Sequence, residues 1–61
     1  MNLGTNIEAT ITGTKLTIVI DLEQRHGISA SGKSTIVATT SGNKTVPGTN
    51  VKIGLNAYVG N

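Results

Sequence analysis

Residues 3–22 alternate apolar and polar with a period of two, and no other feature limits the possible folds as strongly. Leu3, Ile7, Ala9 and Ile11 occupy odd positions, with Asn6, Glu8 and Thr10 between them. From Lys15 the phase changes: Leu16, Ile18, Ile20 and Leu22 are even, and Lys15, Thr17 and Asp21 are odd. Each half is the pattern of a strand with one buried face. Between them, Gly13-Thr14 fits a two-residue type II′ loop with glycine at its first central position. That loop sets Ile11 opposite Leu16, Ala9 opposite Ile18, Ile7 opposite Ile20 and Thr5 opposite Leu22. The aliphatic faces then coincide, whereas a slip of one residue would put them on opposite sides of the sheet.

The same period continues toward the C-terminus. Residues 34–41 (STIVATTS) are rich in β-branched side chains and read as a third strand, with apolar residues on both faces. Ser41-Gly42-Asn43-Lys44 is a turn signal leading into a short strand over 44–47. Pro47 ends it, because proline cannot donate to a ladder. Val51, Ile53, Leu55, Ala57 and Val59 then share one face of a last strand over 51–59, opposite Lys52, Gly54, Asn56 and Tyr58. The expected fold is a single all-β domain over residues 1–61, with strands 4–12, 15–22, 34–41, 44–47 and 51–59 and no helix. These four or five strands form a small twisted antiparallel sheet or open barrel. Its aliphatic face centres on Ile7, Ile11, Leu16, Ile18, Ile20, Ile53 and Leu55.

Such a core is thin. The 61-residue chain has no Cys, Trp or Phe and a single aromatic residue, Tyr58. A chain of this size buries only about 60% of its unfolded surface. With neither disulfide nor thiolate metal site to staple it, association with further copies is the expected route to stability. A homo-oligomer is therefore expected. No cofactor or metal is expected either, since one His cannot anchor a zinc site alone.

Charge restricts the partners. A formal net charge of +2 permits an anionic ligand but is far from the dense Lys/Arg stripe of a typical nucleic-acid binder. Oligomerisation raises that field, because loops from several copies converge. No apolar run approaches the roughly 20 residues that span a bilayer, so no membrane partner is expected. Met1 is followed by neither a basic nor an apolar leader segment. The expected location is the cytoplasm, that of a host if the source is viral.

One segment breaks the strand pattern, the connection over residues 23–33, which is longer than an ordinary hairpin loop. It contains GISASGKST (27–35), which fits G-x-x-x-x-G-K-[ST], the phosphate-binding loop of nucleotide hydrolases. That loop needs a parallel strand before it and a helix after its lysine, so that backbone amides and the helix N-terminus hold phosphate together. Here strand-forming Ser34-Thr35-Ile36-Val37 follows instead, which excludes the hydrolase fold. A weaker reading survives, in which Gly27, Ser29, Ser31, Gly32, Lys33 and Ser34 offer amides, hydroxyls and an ammonium to phosphate without a helix. Arg25 and His26 in the same loop would add a bidentate donor and a titratable one. Lys52 and Tyr58 are candidate additional contacts to nucleic acid, Tyr58 by stacking on a base.

A catalytic reading is weaker. Asp21, Glu23 and His26 are the only acid/base trio, with Ser29, Ser31 and Ser34 nearby, but no spacing places a base beside a nucleophile. No enzymatic activity is expected. The outward threonines Thr10, Thr12 and Thr17 read as a solvated β-face. The leading functional expectation is a small oligomeric β module binding anionic ligands through its basic loop, single-stranded nucleic acid ahead of nucleotides. Two alternatives are a viral-type sequestering or inhibitory protein that holds a nucleotide or a host protein, and a purely structural self-assembling β protein.

Overall fold

Gly13 takes φ +61°, the conformation that a type II′ turn requires at its first central position. The strands on either side therefore pair in the expected register. In the computed structural model, which describes residues 1–60, β2 (Ile7–Thr12) and β3 (Lys15–Val19) are antiparallel. Ala9 lies opposite Ile18, and Ile11 opposite Leu16. A short strand, β1 (Asn2–Gly4), adds to the other side of β2 and completes a three-stranded sheet in the order β1-β2-β3.

Two further small sheets follow. β4 (Ser34–Thr39) pairs antiparallel with β7 (Asn56–Gly60), and β5 (Lys44–Thr45) with β6 (Lys52–Ile53). Among the described residues the protein is thus all-β without a helix, with seven strands in small antiparallel sheets. Among the described residues no helix is long and apolar enough to cross a membrane. A type II turn closes the β5–β6 pair: Thr49 N–H donates to Val46 O at 3.1 Å, with Pro47 and Gly48 (φ +78°) between them.

The strand count exceeds expectation because two expected strands are broken. The segment 4–12 bends at Thr5-Asn6, where Asn6 adopts φ +57°. Thr5 does not meet Leu22. It exchanges two backbone hydrogen bonds with Thr39, at 2.9 and 3.1 Å. Strand β3 ends at Val19, and Leu22 is 73% exposed. The Asn6 side chain fills the corner: its Nδ2 donates to Asp21 O (2.8 Å) and Val37 O (2.9 Å), and its Oδ1 accepts from Asp21 N–H (3.3 Å). A side-chain amide thus occupies a ladder position that a strand residue would otherwise fill. Likewise, the segment 51–59 divides at Gly54-Leu55, where Leu55 bonds to Thr40 instead of continuing a strand.

These corners bring the apolar faces together. Leu3, Ile7, Ala9 and Ala38 are buried, and Leu16, Ile18, Ile20, Ile53, Leu55 and Ala57 pack around them half-buried. Ile7, at 1% exposure, is the largest aliphatic side chain fully enclosed. Ile11, expected at the centre, lies at the margin with 37% exposure, where it lines a shallow pocket between the hairpin tip and Val46, Thr49 and Val51. Thr40 is the one buried polar residue among those described. Its hydroxyl donates to Gly42 O (2.5 Å) and accepts from Leu55 N–H (3.0 Å), so its burial leaves no unmet hydrogen bond.

Candidate functional site

The expected connection 23–33 is mostly a hairpin. Asp21 begins it with a turn: its carboxylate accepts from Glu23 N–H (3.0 Å) and its carbonyl from Gln24 N–H (3.3 Å). The chain then runs back along the free side of β4. Ile36 O accepts from His26 N–H, and Ile36 N–H donates to Gly27 O, both at 2.8 Å. Two residues thus oppose one, a β-bulge. Ile28 bridges Thr35, and Ser29 N–H donates to Ser34 O at 2.8 Å. Only residues 30–33 remain as a loop, closed by Gly32 N–H to Ser29 O (2.9 Å) with Gly32 at φ +75°. GISASGKST is therefore two paired segments and the tight turn between them.

That arrangement decides how the loop can meet an anion. The amides of Ser29 and Gly32 bond to carbonyls, and Lys33 N–H bonds to Ser31 Oγ (3.4 Å). These three amides are engaged within the hairpin, and the turn also presents hydroxyls and the lysine. Ser34 Oγ donates to Ser29 Oγ (3.0 Å), and Ser29 Oγ and Ser31 Oγ lie 3.2 Å apart. These three hydroxyls form one cluster at the base of the turn. Lys33 is exposed, and among the described residues it makes no ion pair.

The hydroxyl cluster borders an open groove of about 420 Å³ on the outer face of the β4–β7 ladder. Ile36 and Tyr58 are direct cross-strand partners and so share that face. Tyr58 is 65% exposed. Asn56, further along the same face, accepts from Thr39 Oγ1 at its Oδ1 (2.6 Å), which leaves the Nδ2 amide as its donor end. One aromatic ring, one half-buried isoleucine, three hydroxyls and an amide therefore surround a single concave strip. Ser29, Ser31, Ser34 and Tyr58 come together here, joined by Asn56, which sequence reasoning did not select. Its signal was present in the period of two, since Asn56 and Tyr58 fall on one face.

The other candidates are placed differently. Arg25 lies just before the hairpin with Nη1 donating to Leu22 O (3.0 Å) and Gln24 O (2.9 Å). His26 Nε2 is 2.6 Å from Gln24 Oε1. Both side chains are thus held against their own turn. Lys52 belongs to β6, in another sheet, and does not line the groove. Ser29, Ser31 and Ser34 bond to one another and His26 to Gln24, so among the described residues none of these hydroxyls is paired with the imidazole. Among the described residues no group of three His, Asp or Glu side chains is positioned to hold a metal. Compared with known proteins, the chain matches no family model, no curated protein and no solved structure.

Proposed function

We propose that this chain is a small oligomeric β module that binds single-stranded nucleic acid along the groove of the β4–β7 face. The observation that carries the reading is the exposed Tyr58 ring beside a hydroxyl cluster, with the unpaired Lys33 on the adjoining turn. A base stacks on Tyr58. Its polar edges meet Ser31, Ser34 and Asn56, and a flanking phosphate meets Lys33. Stacking tolerates any base, so the recognition is of strand and charge rather than sequence. The groove's shape favours a polymer over a free nucleotide. Pockets for small ligands usually enclose 70–90% of the ligand, whereas an open strip gains affinity only from repeated contacts along a chain. Oligomerisation, rather than closure of one chain into an open barrel, supplies that repetition.

Titrating a labelled single-stranded oligonucleotide at low salt tests this reading. Tyr58→Ala is expected to weaken binding by about 1–3 kcal/mol, roughly five- to 150-fold. Lys33→Ala should lower affinity for all sequences alike and reduce the log–log salt slope by about 0.7, the value of one lost phosphate contact on a single strand. Affinity that is absent at low salt, or untouched by both substitutions, would overturn the proposal.

A further inference from the structure

We infer that a second copy of this chain pairs with the free edge of β7, antiparallel and centred on Tyr58, so that two β4–β7 ladders become one continuous sheet. The direction of the backbone groups supports this. Ile36 spends both of its backbone groups, and Ser34 its carbonyl, on the 26–29 segment. Successive residues of a strand direct N–H and C=O to opposite sides, so Thr35 turns toward β7 and meets Val59. Tyr58 and Gly60 therefore turn away from β4. Past the irregularity between Ile36 and Ala38, Thr39 bonds to Thr5, which leaves Ala38 for Ala57 and turns Asn56 outward as well.

The outward set Asn56, Tyr58 and Gly60 is self-complementary. About a two-fold axis through Tyr58, Tyr58 meets its own copy, and Asn56 meets Gly60 of the other chain. Each is a hydrogen-bonded antiparallel pair, and together they make about six bonds. On the opposite face Ala57 then meets Val59 of the other chain, covering side chains that one copy leaves half-buried or exposed. No charge or proline interrupts NAYVG, although these are the devices by which monomeric proteins protect an edge.

The exposed area points the same way. The chain exposes 4241 Å², whereas a compact monomer of its mass exposes about 3,700 Å². The excess of roughly 500 Å² per copy is the scale of a small, reversible interface. Two copies would set two Tyr58 rings side by side on one face, each flanked by its own groove. The pairing sharpens the oligomeric part of the proposed function. It rests on the nucleic-acid part only for the use made of those paired rings.

Sedimentation equilibrium of the full chain without nucleic acid, over a range of concentrations, tests the pairing. The expected result is a reversible monomer–dimer equilibrium. A Cβ at Gly60 meets open space, and Gly60→Pro removes an outward N–H at the end of β7, with circular dichroism checking that the monomer fold is kept. This variant should raise the dimer dissociation constant at least about tenfold, through two lost bonds per dimer. In the wild type, slowed amide exchange at Asn56 and Tyr58 should rise with dimer fraction. A monomer at every concentration, or a dimer indifferent to Gly60→Pro and without concentration-dependent protection, would overturn the inference. A dimer that ignores oligonucleotide would instead overturn only the nucleic-acid reading.

Discussion

Gly4→Ala is expected to remove much of the protein's stability, although the substitution adds one methyl group. A Cβ on Gly4 would lie 2.3 Å from Thr39 O and 2.8 Å from Thr40 Cα. Both are backbone atoms, so no side-chain rotation relieves the clash. The two strands must part, and the Thr5–Thr39 hydrogen bonds are lost with the contact. Overpacking of this kind costs about 1–3 kcal/mol, and each hydrogen bond about 0.5–1.5 kcal/mol more. A 61-residue domain has only about 3–9 kcal/mol to lose. Urea unfolding should show a collapsed or strongly lowered midpoint. Gly60→Ala is the internal control, because its Cβ meets nothing within 4 Å, and it should be neutral or slightly stabilising. Equal midpoints for the two variants would refute the close approach of β1 to β4.

Asn6→Ala should act on the same corner by a different route. It removes three hydrogen bonds that tie the end of β3 to β4, and it leaves a non-glycine residue at φ +57° without the polar side chain that tolerates it. A loss of about 2–4 kcal/mol is expected, which for a domain this small lowers Tm by about 10–30 °C. Asn6→Gly separates the two causes. Glycine relieves the backbone but restores no bond, so its loss should fall between those of the wild type and alanine. Thermal unfolding of both variants, with amide exchange at Asp21, checks the ordering. If glycine matched the wild type, the side-chain bonds would carry no stability.

The same two residues show where the sequence was legible and where it was not. Alternation and one turn glycine suffice for the β2–β3 register, because a two-residue loop leaves a single pairing in which Ala9 meets Ile18. They do not reveal that the first strand breaks at Thr5-Asn6. Leu3 and Ile7 keep the odd phase on both sides of the bend, so periodicity passes through it unmarked. Gly4 and Asn6 were the available signal, since both residue types favour turns. The break in the last segment was less visible still, because Leu55 keeps its phase while its backbone bonds to Thr40. The hairpin inside 23–33 escaped for another reason. Its returning strand, His26-Gly27-Ile28-Ser29, is too short and too polar for a period of two to register.

For the site, residue types were readable but their partners were not. Lys33 and Tyr58 stood out as the loop cation and the lone aromatic residue. Their association with Asn56 and the serine cluster depends on the Ile36–Tyr58 pairing, a contact between residues far apart in the chain. Arg25 and His26 looked like ligands because of their charge. Only the turn begun by Asp21 shows that both side chains bond to their own backbone or neighbour first.

Tyr58 is the sole aromatic residue, so the protein's ultraviolet fluorescence comes from the ring that lines the groove. Titrating the protein with an unlabelled single-stranded oligonucleotide at low salt should quench that fluorescence saturably. Added salt should restore it, and Lys33→Ala should shift the midpoint to higher oligonucleotide concentration. An emission that stays constant throughout the titration, while the protein remains folded, would contradict the central claim that a base stacks on the β4–β7 face.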